Sequence, residues 1–312
     1  MYRLLALALC FGVMEVAVGR ARGPAGLSPE EEHRMTQLQE RLCAFRGLNC
    51  AYVMALFADP RLDIYHPPVP QRQESNRSQV EKERNPFFAA RFGLLTEESL
   101  ERCRGFVRLH AVSFDVAYRT YGVPAKVICG ILRIETNFGI PTRLSPNPVG
   151  ATPAINRLVT LYVRPLPREG LSQRFARWQQ FALRELKELL GAATKFGWDL
   201  FQIPGSKTGA IGLPQFEPSS LKLAIDGNGD GKIDLFDPDD AIPSIANYLV
   251  IHGWDNESTH QQRAIYSYYG GNYALDRHKY YMTAVLKYAD EFDQYAAIHA
   301  LERETAATPE PH

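Results

Sequence analysis

The sequence carries no net charge. Its 312 residues hold 35 Lys and Arg against 35 Asp and Glu. No general positive field exists to hold a phosphate backbone, so nucleic acid is not an expected partner. A long internal apolar run is also missing: nothing beyond the first 20 residues approaches the ~18–20 needed to span a bilayer. Cysteine is scarce, with 5 in all, and no pair has the C-x-x-C spacing of a zinc or redox site. Strand–helix alternation and internal repeats are absent too, which argues against a parallel α/β sheet or a solenoid. What is present excludes disorder, since 45% of the residues are hydrophobic and can bury a core. The length allows one large domain or two ordinary ones.

The N-terminus differs from the rest. Arg3 precedes an apolar run from Leu4 to Met14, followed by Glu15 and Ala17-Val18-Gly19. A basic start, an apolar stretch and a small-x-small ending describe an export signal over residues 1–21. A buried N-terminal helix fits the same residues, but the lead-in from Arg20 to Pro29 favours export. The expected location is therefore periplasmic or cell-wall facing. Cys10 lies inside the apolar run behind Leu9, where lipid attachment wants a small residue, so anchoring by lipid is not favoured. An oxidising compartment would allow Cys43 and Cys50 to be bridged if a turn near Gly47 brings them together. Cys103 and Cys129 fall on apolar helix faces and read as buried thiols. The remaining chain is expected to form one domain over 22–300, with a disordered tail at 301–312.

The fold expected is mostly helical. Helical spacing of apolar residues covers 30–58 with an interruption near Gly47, 96–121 from Thr96-Glu97-Glu98 to Gly122, and 124–139. It continues over 171–190, 239–251 and 278–299. Residues 71–85 are polar apart from Val80 and lie outside any core. Long irregular segments are expected at 140–170, 199–217 and 225–238, where function tends to sit in a helical domain.

One of those segments has the pattern of an EF-hand loop. Over 226–237, oxygen side chains stand at loop positions 1, 3, 5, 9 and 12 as Asp226, Asn228, Asp230, Asp234 and Asp237. Gly231 takes the sharp turn, Ile233 is the apolar anchor, and Lys232 offers its backbone carbonyl. This is the oxygen-rich set that Ca²⁺ requires. Asp237 has a shorter arm than the usual Glu. The flanks, with Pro238 close behind and no second loop to pair with, suit a structural staple better than a sensor that must open.

Glu135 follows Val127, Ile128, Ile131, Leu132 and Ile134 on one helix, with Ile131 and Leu132 a turn back on its own face. An apolar setting at the negative end of a helix dipole favours the protonated acid, the state a general acid needs. A surface glutamate on an amphipathic helix fits the same pattern. Residues 205–220 add three glycines, which permit close approach of backbone to a ligand, and the neutral Ser206 and Gln215, which suit sugar hydroxyls. A plain loop closing on Phe216 fits equally.

Taken together, these pieces resemble the lytic murein transglycosylases of the MltB type. The resemblance rests on Tyr-Gly-Val-Pro (121–124), Ile-Glu-Thr-x-Phe-Gly (134–139) and Gly-Ala-Ile-Gly-x-x-Gln-Phe-x-Pro-Ser-Ser (209–220). The calcium loop, Asp-Pro-x-Asp-Ala-Ile (237–242) and Ile-Ala-Asn-Tyr (245–248) through His-Gly-Trp (252–254) complete it. The order holds over roughly 90–290. The resemblance implies a lysozyme-like α+β superfamily fold and cleavage of the β-1,4 bond between N-acetylmuramic acid and N-acetylglucosamine, with a 1,6-anhydro product. Glu135 would be the single acid/base, and Ser206, Gln215, Tyr248 and Tyr268 would hold substrate. Structural Ca²⁺ would be the cofactor, with no organic one. The implied partners are the peptidoglycan glycan strand and cell-wall synthesis or remodelling proteins, for a chain acting as a monomer.

Several residues depart from that pattern. Tyr269 replaces the Asn of a Tyr-Asn pair, an extra stretch runs from Asn272 to Arg277, Pro214 stands where Gly is common, and Glu217 where an apolar residue is usual. Glu217 is a second candidate carboxylate, although Pro218 behind it suggests an exposed acid at a helix start. A hydrolase of the same fold and a weakly active peptidoglycan-binding relative are the alternatives.

Overall fold

The computed structural model describes residues 26–65, 85–164, 172–270 and 279–307. The expected export segment, most of the polar stretch at 71–85 and the insertion at 272–277 lie outside the described residues. Helix α1 (Pro29–Cys43) starts at a capping box: Ser28 Oγ accepts from the Glu31 amide, and the Glu31 carboxylate accepts from the Ser28 amide. Helix α2 (Cys50–Ala58) is capped by Asn49. A disulfide joins Cys43 to Cys50 across the turn at Gly47, so the 30–58 stretch is two helices.

The stretch read as one helix over 96–121 also divides. Helix α3 (Glu97–Leu109) begins at the Thr96 cap, and α4 (Ala111–Tyr121) follows a break at His110. His110 Nδ1 and Ser113 Oγ both meet Asp239 Oδ1, at 3.1 and 2.6 Å, which fixes the bend against a later part of the chain. Helix α5 (Ala125–Glu135) stops short of the expected Gly139, because Asn137 and Phe138 take left-handed φ values of 52° and 60°.

The segment expected to be irregular at 140–170 contains strand β1 (Thr152–Pro153) and helix α6 (Ala154–Val163). Helix α7 (Ser172–Phe196) runs further than expected, past Gly191. Strand β2 (Pro204–Gly205) pairs antiparallel with β1. Helix α8 (Pro238–Ile251) starts at the Asp237 cap. Helix α9 (Ser258–Tyr268) was not foreseen, and α10 (Tyr280–Ala307) continues through the first half of the expected tail.

Two apolar clusters form the core. The first gathers α3, α4, α5, α8, α9 and α10 around Ile128, Leu132, Ile245, Val285 and Tyr288. Cys103 and Cys129 are buried free thiols within it, as expected. Helices α5 and α10 approach closely at Gly130, where any Cβ would lie 3.0 Å from the Val285 carbonyl. The second cluster gathers α1, α2, α6 and α7 around Leu38, Phe57, Leu158 and Leu186. Tyr268 packs against both clusters. Burial on this scale is the main stabilising term, at roughly 1.5–3 kcal/mol for each large apolar side chain.

Candidate active site

The end of α5 sets the position of Glu135. Immediately after it the backbone turns left-handed at Asn137 and Phe138, a conformation that costs a non-glycine residue about 1–3 kcal/mol. Surrounding contacts hold the turn. Asn137 Oδ1 accepts from Arg102 Nη1 at 2.7 Å and its Nδ2 donates to the Ile140 carbonyl at 2.9 Å, while Phe138 is buried in the first cluster. Thr136 Oγ1 donates to the Leu213 carbonyl at 3.0 Å, tying the helix end to the glycine-rich loop.

That loop needs its glycines. Gly212 has φ +75°, and a Cβ there would lie 2.4 Å from the Leu235 carbonyl. The loop thus packs directly on the 226–237 segment, and the Leu213 amide donates to the same Leu235 carbonyl at 2.8 Å. Gln215 is itself left-handed, at φ 52°. Its Nε2 donates to the Gly212 carbonyl at 2.8 Å, which leaves Oε1 to meet a ligand. Ser206 Oγ accepts from the amides of Ala210 and Thr208 at 3.1 and 3.3 Å.

Glu135, Ser206, Gln215, Tyr248 and Tyr268 all line one cleft of about 250 Å³. The five residues singled out from the sequence are therefore brought together. Tyr248 Oη donates to the Ser267 carbonyl at 3.0 Å, and Tyr268 Oη to the Pro214 carbonyl at 2.7 Å. Their ring centroids lie 4.8 Å apart, and each also packs on Phe216. With both hydroxyls donated to carbonyls, these tyrosines serve as a floor of rings more than as hydroxyl donors. Burial pushes the Tyr248 hydroxyl up to about 12, with the Glu217 carboxylate adding to the effect.

Glu135 keeps part of its surface on the cleft and is otherwise crowded by protein. Desolvation pushes its carboxyl up to about 7, against a hydrogen bond from Tyr281 that pulls it down. Tyr281 Oη donates to Glu135 Oε1 at 2.6 Å. Sequence reasoning missed Tyr281, since it stands on α10 and only the packing of α5 against α10 brings it in. Glu217 corrects an expectation. It is half-buried and faces the same cleft, and both burial and the neighbouring Glu185 carboxylate raise its carboxyl above the usual range. Glu185 is fully buried, accepting from the Ser219 amide and from Arg184 Nε at 2.8 Å each.

The 226–237 loop keeps the turns its sequence demands. Asp226 accepts from the amides of Gly229, Asp230 and Gly231, and Asn228 Oδ1 from the Asp230 amide. Asp230 accepts from the Lys232 amide and Asp234 from the Phe236 amide. Positions 3 and 12 meet across the loop, where Asn228 Nδ2 donates to Asp237 Oδ2 at 3.1 Å. In kind, the oxygen donors fit a hard cation. Among the described residues, however, no three His, Cys, Asp or Glu side chains converge closely enough to form a metal cluster. The sequence pattern did not flag Asp240. It is buried, accepts from the amides of Gly227 and Asp234 at 2.8 and 2.7 Å, and pins the loop's two halves to α8.

The helical body thus presents a cleft in which two raised carboxyls, Glu135 and Glu217, stand among neutral and aromatic groups, a setting suited to acid/base chemistry. A family model for the transglycosylase SLT domain matches residues 30–302, and the chain belongs to that family. Membrane-bound lytic murein transglycosylase B of Escherichia coli (strain K12) is 34% identical over 161 residues. That match takes in 51% of this chain and spans 40% of the relative's length. Among solved structures, the Escherichia coli lytic transglycosylase Slt35 in complex with calcium superposes with a TM-score of 0.62 at 19% identity, covering 90% of this chain and 97% of the other. SltB3 from Pseudomonas aeruginosa in complex with NAG-anhNAM-pentapeptide gives 0.61 at 20% identity, covering 85% of this chain and 80% of the other. The fold is thus the lysozyme-like helical one expected. Among the described residues no helix is long and apolar enough to cross a membrane.

Proposed function

We propose that the chain is a peptidoglycan lytic transglycosylase, exported to the cell wall, that cleaves the β-1,4 bond between N-acetylmuramic acid and N-acetylglucosamine. The observation that carries the reading is the Glu135 carboxyl, raised by burial to about 7, in the cleft that Ser206 and Gln215 also line. In this reading protonated Glu135 gives its proton to the leaving glycosidic oxygen as the C1–O bond breaks. The resulting carboxylate then takes the proton of the C6 hydroxyl as O6 bonds to C1, which closes the 1,6-anhydro ring and restores the acid. The acetamido group of the muramic sugar supports C1 between the steps. A second protein carboxylate at the position an ordinary glycosidase requires then has no task. SltB3 from Pseudomonas aeruginosa, which shares the fold, is solved with NAG-anhNAM-pentapeptide bound, and an anhydro product here is in keeping with that ligand.

The experiment is digestion of purified peptidoglycan with mass analysis of the products. Anhydro-muropeptides are expected, and they should disappear with Glu135→Gln. Products heavier by one water would assign the chain as a hydrolase. Retention on the polymer without release would make it a binding protein.

The loop 226–237 is read as a structural Ca²⁺ site, with Asp226, Asn228, Asp230, Asp234 and Asp237 giving side-chain oxygens and Lys232 its carbonyl. Support comes from the donor chemistry and from the relative solved with calcium. Bound Ca²⁺ would neutralise part of this acidic loop and brace the Leu235 contact beneath Gly212.

A further inference from the structure

Glu135 borders a second cavity of about 410 Å³ on the side away from Ser206 and Gln215. Its character is opposite to that of the first. Arg91, Arg133 and Arg143 line it, together with Phe92 and the 142–145 turn. Among the described residues none of the three guanidinium groups is paired with a carboxylate. Arg133 donates from Nε to Ser99 Oγ at 2.6 Å and from Nη2 to the carbonyls of Phe92 and Gly93 at 2.6 and 3.0 Å, all uncharged acceptors. Those bonds also fix the short turn that carries Arg91, whose guanidinium lies 4.8 Å from the Phe92 ring centre. Arg143 stands on a closed turn, in which the Thr142 amide donates to the Ser145 carbonyl and the Ser145 amide to Thr142 Oγ1. The nearby Arg102 is neutralised by Glu98. Glu135 forms no ion pair with these three; its Oε1 accepts instead from the Tyr281 hydroxyl at 2.6 Å. Three guanidinium groups with no carboxylate partner among the described residues, gathered around one cavity, suit an anion, and arginine forks suit carboxylates best.

We propose that Arg91, Arg133 and Arg143 form a carboxylate-binding subsite beside Glu135, which takes the acidic peptide substituent of the sugar next to the scissile bond. The proposal rests on the transglycosylase reading and deepens it, making the cavity a determinant of which glycan strands are cut. Arg133 acts partly by holding the turn, so the test uses the two exposed arginines.

The inert Glu135→Gln protein is titrated calorimetrically with two disaccharide–peptide probes, one with free peptide carboxylates and one with the same carboxylates amidated. The free form should bind about tenfold more tightly at low salt, with the advantage shrinking as salt rises. In a variant that adds Arg91→Gln and Arg143→Gln the advantage should vanish while the amidated probe keeps its affinity. Equal binding of both probes by the parent, or a preference that survives the double substitution, overturns the subsite. If neither probe binds and the wild-type chain releases no anhydro product, the transglycosylase reading itself fails. Anhydro products without a carboxylate preference reject the subsite alone.

Discussion

The phenol of Tyr281 donates to the carboxyl of Glu135 at 2.6 Å, across 146 residues of sequence. Two opposing effects therefore act on one acid: burial raises it, and this bond, stronger to the ionised form, lowers it. Removing the bond leaves burial unopposed. In Tyr281→Phe the Glu135 carboxyl should titrate above about 7, and the fall in kcat/KM on the alkaline side should move to higher pH. Rate–pH profiles on solubilised peptidoglycan read this directly. An alkaline limb that stays in place, or moves down, would contradict the assignment of Glu135 as the acid.

The same elevated carboxyl has a consequence for stability. Its folded value is above the ordinary 4.5, so the folded state binds the proton more tightly than the unfolded one. Below about pH 4.5 both states are protonated and the group costs nothing. As pH rises towards 7 the unfolded state ionises first, and the burden grows to its full size above about 7. A shift of this size corresponds to roughly 3 kcal/mol. Glu135→Gln keeps an acceptor for Tyr281 and never ionises. Its melting midpoint relative to wild type should therefore rise between pH 4.5 and 8, even as turnover falls by roughly 10²–10⁴. A difference in midpoint that is flat with pH would show that the acid is not held protonated.

The chain shows which parts of such a site can be read from sequence. Glu135 was legible because its apolar neighbours recur at helical spacing, and Ser206 and Gln215 because glycines mark a loop that approaches something closely. Helix α6 was not legible. It is only 10 residues long, from Ala154 to Val163, and buried almost all round, and so short an apolar run is not separated from a buried strand or loop by its spacing. Tyr281 was hidden for another reason: no local pattern links it to Glu135, and only the docking of α10 on α5 does. Glu217 was misread because a proline after an acid marks a helix start, and that rule does not report what the acid faces.

Calcium should act on stability before it acts on chemistry. The Leu235 carbonyl accepts from the Leu213 amide, so a looser 226–237 loop would loosen the floor under Gln215. Adding Ca²⁺ to chelator-stripped protein should raise the melting midpoint in proportion to RT ln(1 + [Ca²⁺]/Kd), about 2.7 kcal/mol at a hundredfold excess over Kd. Asp230→Asn keeps an acceptor for the Lys232 amide but removes one charge, and should weaken the response. A midpoint indifferent to Ca²⁺ in the stripped protein would remove the staple.

Glu217 gives the test between the two catalytic schemes. It shares the cleft with Glu135, and its own carboxyl is raised by burial and by Glu185. If water were the nucleophile, Glu217 would be the base in reach of the cleft, and Glu217→Gln would stop product formation. In the transglycosylase scheme the C6 hydroxyl replaces water and Glu135 alone handles both protons. Glu217→Gln should then still yield anhydro products, with kcat lowered at most severalfold. The substitution should also stabilise the fold towards neutral and higher pH, where the raised carboxyl would otherwise ionise beside Glu185, and change little at low pH, where both forms are neutral. Complete loss of release, with the melting midpoint raised as expected, would transfer the second catalytic role to Glu217.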